Sequence, residues 1–364
     1  MSAPVRVAVV DDSSFVRKAL VRMLEGDERV RIVGVAASGE ELLGRLAAWR
    51  PEVVTLDLSM PGLGGLATLD VLVERRPDVA VIVLSSFSLE GARRTLEALH
   101  RGALDFVDKR EYSMVDFQAL RQVLLDKILG LVRPAGAGRA AQERRGGPPA
   151  AIAAPEGAVP PCAAGQARGF DAVLLAASTG GPPALQRVLE DLGPAPGVPI
   201  LVVQHMPPRF TTAFSERLNA VLPLAVREAR NGEALLPSTV YVAPGGVHLL
   251  VDRGPRGLVA RLAADPPLRH RPSADVLFRS GAAALGSHAV VGVLTGMGRD
   301  GARGMLEVAA AGGWTLAQDR ETSVVYGMPR AAIEAGAARE VLPLGTFGGR
   351  IAHLLSAGAG RVSR

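Results

Sequence analysis

The sequence predicts an α/β protein of two domains, each built on a mainly parallel sheet, joined by a segment with no core of its own. Three observations carry this. Short apolar, β-branched runs alternate with helix-period segments over residues 1–132, and again over 169–364. Residues 133–168 are mostly Pro, Gly, Ala and Arg, and cannot bury enough surface to offset their ordering entropy. At 364 residues the chain is long enough for two full cores.

In the first domain, strands are expected at 7–10, 31–35, 53–56, 79–84 and 105–107, each a run rich in Val, Ile or Leu. Helices fit 14–24, 39–48, 66–75, 89–101 and 114–131. Pro61-Gly62 and Gly64-Gly65 punctuate the loop after the third strand. Five βα units imply a (βα)5 parallel sheet covered on both faces. Residues 133–168 are expected to be a flexible linker.

In the second domain, strands are expected at 172–177, 200–203, 224–228, 239–243, 289–294, 315–317 and 341–344. Two further runs, 248–252 and 258–262, flank Gly254-Pro255-Arg256-Gly257 and predict a hairpin. Helices fit 183–191, 211–220, 274–285, 302–311 and 330–335. The expectation is a doubly wound, mainly parallel sheet with an antiparallel hairpin insert.

Composition excludes several classes. Hydrophobic residues make up 48% and charged residues 21%, ordinary values for a globular protein. No apolar run is long enough, without charge, to span a bilayer. Met1 leads almost directly into the first strand, without signal-peptide architecture. One cysteine excludes an internal disulfide and gives no metal-ligand cluster. These features predict a cytoplasmic protein with no membrane insertion. The net charge of +5 is spread out: 17 basic against 19 acidic residues over 1–132, 5 against 2 over 133–168, and 19 against 15 over 169–364. Without a basic stripe interleaved with aromatics, nucleic-acid binding is not expected.

Two constellations carry chemistry. Asp11-Asp12 end the first strand, Asp57 the third and Ser85 the fourth, while Lys109 follows the fifth. In an open parallel sheet all of them meet at one edge. Three carboxylates brought together repel unless a cation joins them, and hard oxygen ligands suit Mg²⁺. Asp57 could then act as nucleophile in aspartyl-phosphate chemistry, with Lys109 supplying a compact positive charge. Asp12 alone, before Ser13-Ser14, fits a helix cap equally well.

The second constellation is Ser178, His205 and Asp300. Ser178 lies in Ala176-Ala177-Ser178-Thr179-Gly180-Gly181, between a strand and a helix opened by Pro182-Pro183, a setting similar to a nucleophile elbow. His205 follows the strand at 200–203, and Asp300 follows the one at 289–294. Together they supply a nucleophile, a base and a group to orient the base. Each also has a plain structural alternative: Ser178 and Asp300 as helix caps, His205 bonded to the backbone. Gly296-Met297-Gly298-Arg299-Asp300-Gly301 also spells G-x-G-x-x-G, so a dinucleotide-binding protein is an alternative. It would leave Ser178 and His205 unexplained.

The motifs VVDDS, LDLSMPGLGG, VLSS and GALDFVDK resemble those of response-regulator receiver domains. The resemblance implies phosphorylation of Asp57 by a histidine kinase, contact of Ser85 with the phosphoryl group, and Phe106 at the aromatic switch position. Arg110 stands where that family usually has proline. AASTGGP, VQHMPPRFT, VYVAPGGVHLL, RPSADVLF, LTGMGRDGARG and QDRETSVVYGMPRAA resemble the catalytic domain of chemotaxis protein-glutamate methylesterases. That resemblance spans almost the whole second half. It implies Ser178 as nucleophile, His205 as general base and acid, Asp300 as orienting carboxylate, Met297 as a backbone donor to the oxyanion, and Thr179 as a site neighbour. It further implies demethylation and deamidation of chemoreceptor helices, with no cofactor for the esterase reaction. Without phosphate the receiver is expected to block the active-site face. A phosphorylation-controlled scaffold with an unused hydrolase site is the competing expectation.

Overall fold

A computed structural model describes residues 3–85, 88–109, 117–132, 169–268 and 270–359. The chain divides into two compact units, Met1–Arg139 and Ala140–Arg364. The expected linker at 133–168 and Arg110 both lie outside the described residues.

The first unit alternates β1 (Val5–Val10), α1 (Ser14–Leu24), β2 (Val30–Ala36), α2 (Gly39–Trp49), β3 (Val53–Asp57), α3 (Gly64–Arg75), β4 (Ala80–Ser85), α4 (Leu89–His100), β5 (Asp105–Asp108) and α5 (Phe117–Leu131). Its sheet runs β2-β1-β3-β4-β5, parallel throughout. The inner strands β3 and β4 are buried at every residue, as strands covered on both faces must be. Serines start three of the helices. Ser13, Ser38 and Ser88 accept the backbone N–H of Val16, Glu41 and Gly91, which satisfies donors the first turn leaves unpaired.

The second unit contains β6 (Ala172–Ala177), α6 (Gly181–Leu192), β7 (Ile200–Gln204), α7 (Phe210–Val221), β8 (Ala225–Glu228), β9 (Thr239–Val242), β10 (His248–Gly254), β11 (Gly257–Ala263), α8 (Ala274–Leu285), β12 (Ala289–Val293), α9 (Ala302–Ala310), β13 (Trp314–Gln318), α10 (Met328–Glu334), β14 (Glu340–Leu342) and α11 (Leu344–Ala359). Seven parallel strands run β14-β13-β12-β6-β7-β9-β8. Strands β10 and β11 form a separate antiparallel hairpin, as expected. The chain enters at β6, winds outward through β7 to β8 and β9, then returns to the other side at β12. The centre β12-β6-β7 is therefore the topological switch point, where doubly wound sheets bind ligands. All three central strands are wholly buried. Leu174 of β6 reaches Gly281 of α8, where a Cβ would lie 2.3 Å from its Cδ1. Burying such a leucine contributes about 1.5–3 kcal/mol.

Two differences from expectation stand out. The strand placed at 341–344 is shorter, ending at Leu342, and Leu344 opens the 16-residue helix α11, which the sequence reading left out. Among the described residues, no helix is long and apolar enough to cross a membrane.

Candidate active site

Ser178, His205 and the loop carrying Asp300 extend from the carboxyl ends of β6, β7 and β12. Register places the first two side by side. Ala177 pairs with Gln204, and His205 N–H donates to Ala177 O at 3.1 Å. Ser178 N–H donates to Thr295 O beyond β12, at 3.0 Å. The Ser178 carbonyl is held twice, by Gly181 N–H at 2.8 Å and by Gln204 Nε2 at 2.9 Å. The turn then passes through Gly180 at φ +75°, where a Cβ would meet Val324 at 2.6 Å, so only glycine fits. Prolines in the first turn of α6 lock the exit. Thr179 is buried, and its carbonyl accepts Thr295 Oγ1 at 2.9 Å. Thr295 N–H in turn donates to Gln318 Oε1 on β13 at 2.7 Å. Met297 follows two residues later and is half-buried.

Asp300 does not cap α9. That helix starts from Gly301 at φ +92°, without a side-chain cap. The carboxylate instead takes four hydrogen bonds: His205 Nε2 at 2.7 Å, Ser273 Oγ at 2.8 Å, and the backbone N–H of Ala274 and Asp275 at 2.7 and 3.0 Å. Burial alone would raise its pKa. The hydrogen bond from His205, with those backbone donors, outweighs burial and holds it well below the carboxylate range.

An ionised carboxylate only accepts, so His205 Nε2 carries the hydrogen in this pair. Among the described residues Nδ1 is buried without a hydrogen-bond partner, its lone pair free to accept a proton. The nitrogen roles are exchanged relative to the common serine-hydrolase arrangement, in which Nδ1 meets the carboxylate. His270 stacks on His205, with ring centroids 4.4 Å apart and planes 5° from parallel. The sequence reading missed His270, Gln204 and Ser273. His270 and Ser273 flank or lie within the quoted RPSADVLF stretch, which was their available signal; Gln204 carried none beyond its place before His205.

Two glycines of the G-x-G-x-x-G loop have packing reasons, while Gly298 sits at φ +89° with open space beside it. A Cβ on Gly296 would lie 2.8 Å from Ser178 Cβ and 2.4 Å from Met328 Sδ, and one on Gly301 would crowd Ala274 and Phe278 of α8. Gly296 and Gly301 let the loop press against the serine turn and α8.

The first unit gathers its own set. Lys109 Nζ lies 2.6 Å from Asp57 Oδ2 and 3.0 Å from Asp11 Oδ2, and among the described residues those two oxygens have no hydrogen-bond partner besides this ion pair. Asp11 and Asp57 are buried, Asp12 is exposed, and ligand oxygens from all three fall within 4.8 Å of one another. Burial pushes the Asp11 carboxyl up, with Asp57 adding repulsion against the pull of Lys109. Burial would lower Lys109, but Asp57 and Asp11 outweigh it and hold the ammonium above its usual value. Ser85 is buried; its Oγ accepts from Thr95 Oγ1 at 2.6 Å and donates to Gly91 O at 3.2 Å. Phe106 is buried, with Lys127 5.8 Å from its ring centre and paired to Asp105 at 2.7 Å.

Residues 7–122 match the response regulator receiver domain family, and residues 173–351 match CheB methylesterase. The chain is 44% identical over 360 residues to protein-glutamate methylesterase/protein-glutamine glutaminase 1 of Myxococcus xanthus, covering 96% of this chain and 97% of that one. It is 41% identical over 343 residues to the corresponding enzyme 2 of Pseudomonas aeruginosa, covering 94% of each. Its second unit is similar to the crystal structure of the Thermotoga maritima CheB methylesterase catalytic domain, at 37% identity and a TM-score of 0.50, over 51% of this chain and 98% of that one. Receiver motifs, esterase fold and full-length similarity agree: the chain belongs to the two-domain family of protein-glutamate methylesterase/protein-glutamine glutaminases.

Proposed function

We propose that this protein hydrolyses γ-glutamyl methyl esters on chemoreceptor helices, and deamidates selected receptor glutamines, through a Ser178-His205-Asp300 triad switched by phosphorylation of Asp57. The observation that carries the reading is the alignment at the switch point. Asp300 grips one nitrogen of His205 at 2.7 Å, and the other nitrogen is left, among the described residues, without a partner beside the Ser178 turn.

His205 Nδ1 takes the Ser178 hydroxyl proton as Oγ attacks the ester carbonyl. The positive charge arising on the ring is balanced by Asp300 through Nε2–H. Backbone N–H of Met297 stabilises the oxyanion, with Thr179 lining the same turn; losing one such donor typically costs about 3–4 kcal/mol of transition-state stabilisation. The His205 proton passes to the departing methoxide, giving methanol. Water then attacks the acyl-serine, His205 again moves the proton, and glutamate is released. A glutamine substrate follows the same path with ammonia leaving.

Asp11, Asp12 and Asp57 would hold Mg²⁺, and two buried carboxylate oxygens served, among the described residues, only by Lys109 fit a cation. When bound, the ion neutralises charge on the incoming phosphate. Asp57 attacks the phosphoryl group on a kinase phosphohistidine, whose P–N bond breaks and whose imidazole leaves; Lys109 balances the new charge, and Ser85 turns from Thr95 towards it. The unphosphorylated receiver restrains the esterase, and phosphorylation releases it. The cytoplasm, where chemoreceptor helices and kinase meet, is the compartment this reading requires.

Methanol release from methylated receptor membranes tests it, with wild type and Ser178→Ala compared with and without Mg²⁺ and a small phosphodonor. Release should fall by at least about 10³-fold in Ser178→Ala, and rise with phosphodonor in wild type. Equal release from both proteins would sink the triad. No release from either, on a substrate that another esterase demethylates, would favour the scaffold reading.

A further inference from the structure

We propose that Ser273 is a positioning residue for the catalytic carboxylate, locking Asp300 in the rotamer that His205 requires. The proposal rests on the triad reading above.

Ser273 occupies the N-cap position of α8 with extended backbone angles, φ −114° and ψ 135°. A serine there ordinarily bonds a free N–H of its own first turn. This one does not. The N–H groups of Ala274 and Asp275 go to Asp300 instead, at 2.7 and 3.0 Å. A carboxylate from the loop before α9 thus caps α8 from outside, and the serine hydroxyl is released from capping. It donates to Asp300 Oδ1 at 2.8 Å, from a residue that is only 1% exposed.

The support continues one residue deeper. His248, at the start of hairpin strand β10, is wholly buried. Its Nδ1 accepts Ser273 N–H at 3.2 Å, and its Nε2 lies 2.9 Å from Pro266 O. A carbonyl cannot donate, so Nε2 carries the hydrogen and Nδ1 the lone pair. Two backbone groups therefore fix one neutral tautomer, and that ring pins the Ser273 backbone. The antiparallel insert gains a purpose: it braces the N-terminus of α8 against which Asp300 is held.

The division of labour on Asp300 is specific. Oδ2 receives His205 Nε2 and Ala274 N–H, while Oδ1 receives Ser273 Oγ and Asp275 N–H. Without the hydroxyl, Oδ1 keeps one longer bond, the carboxylate can turn about its Cβ–Cγ bond, and the contact to His205 loosens. Ser273 is buried behind Asp300, so its loss should lower turnover rather than substrate binding. Removing a group that orients a functional ligand typically costs 10–100-fold.

The test uses the full chain, activated by phosphodonor, in wild-type, Ser178→Ala, Ser273→Ala and Ser273→Thr forms. Initial rates of methanol release are read together with the low-field proton resonance of His205 Nε2–H. Ser273→Ala should lower kcat on the order of tenfold, leave KM within about twofold, and shift or broaden the resonance. Ser273→Thr, keeping the hydroxyl, should restore both. Wild-type kcat and resonance in Ser273→Ala would overturn the proposal, as would loss expressed in KM alone. So would equal impairment in a folded Ser273→Thr, which would make packing the cause. If Ser273→Thr does not fold, the Ser273→Ala resonance decides. Ser178→Ala with wild-type release removes the triad and this proposal together. An inactive Ser178→Ala beside an unimpaired Ser273→Ala removes this proposal alone.

Discussion

Gly296 shows how closely the serine turn is packed. A methyl group there would stand 2.8 Å from Ser178 Cβ. Met328 Sδ, also crowded, lies near the end of a flexible side chain and can yield; Ser178 Cβ, held through its backbone by Thr295, Gly181 and Gln204, cannot. Gly296→Ala should therefore displace Ser178, the proposed nucleophile. The expected loss is on the order of 10²-fold in kcat, the scale of an ångström of misplacement, with the fold intact by circular dichroism. His270 works through a ring face. Its stack on His205 restricts that ring without using either nitrogen of His205. Aromatic pairing is worth about 0.5–1.5 kcal/mol, so His270→Ala should cost up to about tenfold in kcat, and His270→Phe much less. Equal loss in both would assign His270 a role through its own nitrogens. Ser178 and His205 were legible because each followed an unmistakable apolar strand. His270 was not, because it sits in a loop, and stacking leaves no periodic trace in sequence.

At the scale of elements, α8 and the Asp300 loop stabilise each other. The carboxylate sits at the helix N-terminus, where the partial positive charge and free N–H groups favour an anion. Its pKa is depressed in the folded state, so the sign is fixed. The ionised form contributes stability that is complete above an unfolded aspartate's titration, near pH ~4, and is lost as pH falls through the lower folded value. Asp300→Asn should destabilise the catalytic unit at neutral pH by about 1–3 kcal/mol, the cost of leaving buried donors poorly paired. It should also flatten the decline in urea midpoint between pH 6 and pH 3; an unchanged decline would place the acid sensitivity elsewhere. Sequence offered Asp300 as a routine cap for α9, and it serves the N-terminus of α8 instead. Helix α11 escaped the reading for a related reason. Gly345, Gly348 and Gly349 crowd its first turns and depress local propensity. Tertiary packing overrides this: Phe347 is wholly buried beside Gly292, and a Cβ on Gly348 would come within 2.3 Å of the Val188 carbonyl of α6. Glycine is there to let two helices touch, a purpose visible only in the fold.

At the scale of the whole molecule, both sheets were legible because parallel strands covered on both faces read as continuous apolar runs, and both candidate sites follow from the rule that function collects at their carboxyl edge. The coupling between them is the remaining physical question, and the receiver's charges say how to ask it. Asp11 is held above its ordinary pKa, chiefly by burial. Its ionised form is thus destabilising in the folded receiver without a cation, while a bound divalent ion would reverse that sign. Mg²⁺ should raise the receiver's Tm by mass action. Asp11→Asn should raise Tm in metal-free buffer and abolish the Mg²⁺ increment; a retained increment would place the cation away from Asp11. The decisive comparison then uses the catalytic readout. Full-length wild type should release methanol faster with Mg²⁺ and phosphodonor, and Asp57→Ala should not respond. A 169–364 fragment should exceed the unphosphorylated full chain if the receiver restrains the esterase. A fragment no more active than that chain would mean that phosphorylation activates by adding something, such as receptor affinity, and the restraint model would fall while the esterase stood.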